Sequence, residues 1–149
     1  AVRAADGAIL PLSGVGVARM TTPLYGGALV GSLPPNWIDA SDLRPVPDNQ
    51  EVWMERAGAE RTLIVELMER PNVTDAECAA LHFEELASGN DALRSAVVSS
   101  HQLASKPSRL GSDPPCLSLC GYQALKAGEG AECQVQVQLL VARLAEFKT

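Results

Sequence analysis

Five carboxylates and one guanidinium crowd the stretch from Leu24 to Glu55: Asp39, Asp42, Asp48, Glu51 and Glu55 against Arg44. The local net charge of −4 is most of the −6 carried by the whole chain of 149 residues. Paired acids such as Asp48 and Glu51 can move protons, alternating oxygen ligands can hold calcium, and presented carboxylates can dock a basic partner. Acid–base chemistry lacks its accompaniment here, because no nucleophile–base pair, metal-ligand cluster or cofactor motif goes with the acids. Asp39-x-x-Asp42 is too sparse for a calcium loop. Pro45 and Pro47 fix φ on either side of Val46, so the carboxylates after them are presented with little freedom. On the residues alone, docking and a merely solvated face both stay open.

Composition narrows the partner. Hydrophobic residues make up 46% and charged residues 20%, the balance of a globular domain of ordinary size. An acidic surface repels nucleic acid and anionic lipid, which leaves a basic protein as the favoured partner. The longest apolar stretch, Leu139 to Ala142, falls far short of the roughly 20 residues that span a bilayer. Cys78, Cys116, Cys120 and Cys133 form no Cys-x-x-Cys pair, and His82 and His101 stand at no zinc-like spacing from them. The reading is four reduced thiols, buried or half-buried, with a Cys116–Cys120 bridge left open.

The acids need a scaffold, and its signals are mostly those of strands. Ala28–Leu33, Glu51–Glu55 and Arg61–Glu69 read as the first three, with Leu63, Val65 and Leu67 on one face of the third and Gly58 in a hairpin before it. A helix follows. Thr74 and Glu77 make a capping box, Ala76, Ala79, Ala80, Phe83, Leu86 and Ala87 make an apolar stripe, and Gly89 supplies a left-handed stop. Ser95–Leu103 and Cys116–Lys126 are further strands, separated by a polar loop, and Gly128-Glu129-Gly130 is a turn. In Cys133–Arg143, Val135, Val137, Leu139 and Val141 alternate with Gln134, Gln136 and Gln138, which predicts one buried and one wet face. Several strands with one helix between the third and fourth predict an α+β domain, mainly antiparallel sheet packed against a helix. Residues 1–22 read as a flexible extension and 23–149 as a single domain.

Two segments carry a family resemblance: Pro23-Leu24-Tyr25-Gly26-Gly27-Ala28, and the long run Leu33-Pro34-Pro35-Asn36-Trp37-Ile38-Asp39-Ala40-Ser41-Asp42-Leu43-Arg44-Pro45-Val46-Pro47-Asp48-Asn49-Gln50-Glu51-Val52. The second resembles the hallmark of the Ran guanine nucleotide release factors, Mog-type nuclear import factors with a Mog/PsbP-like fold. His82-Phe83-Glu84-Glu85 and Val141-Ala142-Arg143-Leu144 resemble it more loosely. The resemblance implies a non-enzymatic protein, without cofactor or metal, that binds the GTPase Ran through a basic surface of that partner. It also implies promotion of nucleotide release and support of nuclear import, by a monomer in nucleus and cytoplasm. Asp48 and Glu51 match the family's Ran-binding acids, with Asp39, Asp42, Arg44 and Gln50 completing the expected contact set and Glu55 steering alongside Asp39 and Asp42. His82 reads as a helix-surface residue. The family continues into one more strand and a helix that are not found before Thr149, which predicts an exposed sheet edge. The alternative is a protein-binding module related by fold alone, PsbP-like or a trafficking adaptor, without action on Ran.

Overall fold

The computed structural model describes residues 2–4, 20–56, 61–104 and 114–144. The strands are β1 (Val2–Ala4), β2 (Met20–Leu24), β3 (Leu29–Leu33), β4 (Trp37–Asp39), β5 (Gln50–Glu55), β6 (Thr62–Glu66), β7 (Arg94–Gln102), β8 (Cys116–Lys126) and β9 (Glu132–Ala142), with one helix, α1 (Asp75–Gly89), between β6 and β7. Seven strands form one sheet in the order β4-β5-β6-β1-β9-β8-β7, and β2 pairs with β3 as a separate hairpin. Every pairing is antiparallel. The architecture is therefore the α+β arrangement that the pattern predicts.

The long β8–β9 ribbon organises the core. Its register sets Leu117 opposite Val141, Leu119 opposite Leu139 and Gly121 opposite Val137, so one face is a continuous aliphatic strip. Cys78, Ala79, Phe83 and Leu86 of α1 pack onto that strip. The Phe83 ring lies directly over Gly121, where a Cβ would stand 2.7 Å from Phe83 Cζ and 2.7 Å from the Ala96 carbonyl oxygen. Gly121 is thus a seat for the ring, not a point of flexibility.

Both ends of α1 show how local chemistry sets its limits. The amide and hydroxyl of Thr74 both donate to Glu77 Oε2, at 3.0 and 2.6 Å. These two bonds, the hydroxyl's first, hold the Glu77 carboxyl below its ordinary value of 4.5. A lowered carboxyl contributes stability that is present above the ordinary value and lost as pH falls through the lowered one. Thermal melts of Glu77→Ala are expected to show a lower midpoint than the parent at neutral pH, the gap closing under acid. A constant gap would show that the carboxylate charge is not involved. At the other end the sequence reading needs correction. Gly89 remains helical, and the positive φ falls on Asp91, at 49°. Asp tolerates this conformation better than most residues.

Other expectations shift as well. The buried stripe of α1 includes Cys78 and His82, while Ala76 is exposed. His82 is 6% exposed, with Nδ1 3.0 Å from Glu85 Oε2, so it is a buried residue rather than a surface one. β6 stops at Glu66, leaving Leu67 outside the strand and 49% exposed. On β9, Gln136 is 9% exposed with its Nε2 3.2 Å from Cys120 Sγ, so the expected wet face is covered at that point. None of the four cysteines is in a disulfide, and Cys133 is exposed.

Residues 2–4 fall within the expected extension, yet β1 pairs on both sides, with β6 and β9. Without it β6 and β9 would each have an unpaired backbone edge there, and the N–H and C=O groups of β1 pair with both. β1 covers the β9 backbone from Gln138 to Leu140. The boundary read between residues 22 and 23 lies inside β2. The Gly58 turn and the polar loop's residues 105–113 lie outside the described residues.

Candidate functional site

The acidic segment is built from its buried end outwards. Asp39 ends β4 and turns its Oδ1 onto the Ser41 amide at 2.8 Å, capping a short 3₁₀ turn at Ala40–Asp42. Ala40 is fully buried, and its carbonyl accepts from the amides of Leu43 and Arg44, both at 3.0 Å. This knot lifts Asp42, Leu43 and Arg44 into solvent. The chain then passes Pro45 and Pro47 and re-enters the sheet through a turn closed by the Gln50 amide on the Pro47 carbonyl, 2.9 Å.

Asp48 stands exposed at that turn. Its neighbour Asn49 anchors it. The Asn49 carbonyl accepts from the Leu67 amide at 2.9 Å, and Asn49 Nδ2 donates to the Leu67 carbonyl at 3.3 Å. The Tyr25 hydroxyl lies 2.9 Å from the same Asn49 carbonyl and 2.8 Å from that of Val65. Asp48 is therefore a solvent-facing carboxylate on a backbone tied down from two other elements, which limits the entropy lost when a partner binds it.

Glu51 differs. It lies on β5, opposite Val65, and is half-buried. Its Oε1 accepts from the Tyr25 amide at 2.5 Å. Tyr25, Gly26 and Gly27 follow one another at φ of 50°, 63° and 95°, a left-handed run that only the two glycines adopt without strain. The Glu51 carboxylate thus clamps the β2–β3 hairpin onto the sheet. Burial, and next the Glu51 charge, push the Tyr25 phenol above its ordinary value of 10.0.

The remaining expected residues divide in the same way. Asp42 and Arg44 are exposed beside the 3₁₀ turn. Gln50 donates through Nε2 to Glu66 Oε1 at 3.0 Å, and the strand alternation puts it on the sheet face opposite Glu51. Glu55, expected to steer a partner, has a side chain only 7% exposed and receives both Arg61 nitrogens, at 2.9 and 2.8 Å, and Asn36 Nδ2 at 3.1 Å. It is a structural ion pair. Among the described residues, no group of three His, Cys, Asp or Glu side chains could hold a metal ion. Tyr25 is the functional-looking residue that sequence reasoning missed. The Gly-Gly after it was its only local signal, since its partners lie 24 to 40 residues away.

The profile of the family described as "Ran-interacting Mog1 protein" matches residues 22–149. The chain belongs to the Mog1 family. A Mog1-family relative from Danio rerio, a Ran guanine nucleotide release factor, is 36% identical over 135 residues, covering 87% of this chain and 73% of that protein. The nuclear import protein mog1 of Schizosaccharomyces pombe is 46% identical over 70 residues, 46% of this chain and 37% of that protein. The crystal structure of the Saccharomyces cerevisiae Ran-binding protein Mog1p superposes with a TM-score of 0.55 over 85% of this chain and 79% of its own, at 20% identity. That likeness establishes the Mog1 fold for this sheet and helix.

Proposed function

We propose that this chain binds the GTPase Ran and promotes release of its guanine nucleotide, and that it supports nuclear protein import in this way. The observation that carries the reading is Asp48, an exposed carboxylate on a loop fixed through Asn49 to Leu67, in a chain of the Mog1 family. A GTPase holds phosphate with a lysine, backbone amides and Mg²⁺. A rigid carboxylate pressed against that pocket competes for those positive groups and loosens the nucleotide. Asp48 makes the main contact, Asp42 and Arg44 engage the rim, and Asp39 and Glu51 hold the acidic surface in shape while adding to its field, with Gln50 bonded to Glu66 behind it. The chain acts by binding, as a monomer, on a basic protein surface rather than on nucleic acid or lipid, in nucleus and cytoplasm.

Calorimetric titration against purified Ran tests the reading. Saturable one-to-one binding that weakens as salt is raised is the expected result. Absence of binding at low salt contradicts it.

A further inference from the structure

The acidic loop is bonded to an apolar shoulder. Leu67 and Met68 follow the end of β6 as consecutive large hydrophobic residues, 49% and 44% exposed. Leu67 is fixed in place by its reciprocal bonds with Asn49, the residue after Asp48. An exposed apolar pair whose first member is bonded to the residue after an exposed carboxylate has the composition of an interface centre next to its charged rim. The pair also lines a cavity of about 460 Å³ together with Leu140 and Ala142 of β9, Leu144 just beyond it, and Cys78 and His82 of α1. Glu66 and Glu69 flank the pair, but Arg70 and Arg143 line the same cavity, so the net negative charge beside the pair is that of the exposed Asp48.

We infer that Leu67 and Met68 are the apolar anchors of the partner surface, taking an aliphatic or aromatic side chain that stands next to a basic cluster on Ran. The inference rests on the reading that Ran is the partner. Asp48 selects the basic neighbour, and the Leu67–Met68 pair supplies the dry contact. The two contributions differ in kind. Removing Asp48 weakens the salt dependence of binding, because a charge contact is lost. Removing the apolar pair weakens binding equally at all salt concentrations.

The test measures affinity for Ran across a salt series for the parent, Leu67→Ser/Met68→Ser and the conservative Leu67→Ile/Met68→Leu, with thermal unfolding followed in parallel. The serine variant is expected to bind at least tenfold more weakly, with an unchanged salt slope and an unchanged unfolding midpoint. The conservative variant is expected to stay close to the parent. Serine-variant affinity within about twofold of the parent overturns the inference while leaving the Ran reading intact. An effect confined to self-association, read by sedimentation, assigns the shoulder to a second copy and also overturns it. Failure of the parent itself to bind removes the Ran reading and the inference together.

Discussion

Phe83→Ala is expected to lower stability by about 3–5 kcal/mol, the usual cost of emptying an aromatic core site. Phe83 is 1% exposed, and its ring packs against Gly121 in the core between α1 and the β8–β9 ribbon. Denaturant titration gives the number directly. The cavity has little means of collapse, because the glycine beneath the ring has no side chain to move into it. Gly121→Ala alone is expected to cost about 1–3 kcal/mol by overpacking. Its Cβ would meet both the Phe83 ring and the Ala96 carbonyl, each at 2.7 Å. In the double variant the clash with the ring disappears while the clash with backbone remains. The two effects are therefore expected to be less than additive without cancelling. Full additivity would show that the ring and the glycine are not in contact.

The second large effect separates two acids that look alike in the sequence. Asp48→Lys is expected to weaken binding to Ran by about 100-fold, near 2.7 kcal/mol, and to leave the unfolding midpoint unchanged, since the Asp48 side chain is exposed. Glu51→Ala is expected to weaken binding and also to destabilise the domain by about 1.5–3 kcal/mol, the usual worth of a hydrogen bond to a charged group. The lost bond is the one that holds the Tyr25 amide and the left-handed turn after it. Glu51→Gln keeps an acceptor oxygen but removes the charge, so the Tyr25 phenol is expected to titrate lower than in the parent when followed by ultraviolet absorbance. The protonated phenol contributes stability below its ordinary value of 10.0, lost as pH rises through the raised one. If Glu51→Ala melts like the parent, the clamp has no structural weight.

The contrast between these acids marks how far the sequence could be read. Strands β8 and β9 and the start of α1 were legible because their signals are local: alternation at period two, and a Thr and a Glu three residues apart. The end of α1 was misread by two residues, since both Gly89 and Asp91 are able to stop a helix and only the packing chooses between them. The period of α1 identified Phe83 but not His82, because an imidazole does not register as apolar in a pattern. The exposed position of Asp48 after its prolines was legible. The role of Glu51 was not, because its partner Tyr25 is 26 positions away and the two meet only when the hairpin folds onto the sheet. Glu55 looked like surface charge although Arg61, six positions on across the predicted hairpin, pairs with it; only Asn36 comes from a distant part of the chain. The short β1 carries no periodicity at all, and only the gap between β6 and β9 gives it a place.

The most direct test of the central claim is the rate of nucleotide release from Ran loaded with a fluorescent guanine nucleotide, measured with the parent chain and with Asp48→Lys at equal concentration. The parent is expected to accelerate release in a saturable manner, and Asp48→Lys to leave the rate near that of Ran alone. A parent chain without effect, or an Asp48→Lys chain as active as the parent, would contradict the claim that an exposed acid on this loop displaces nucleotide.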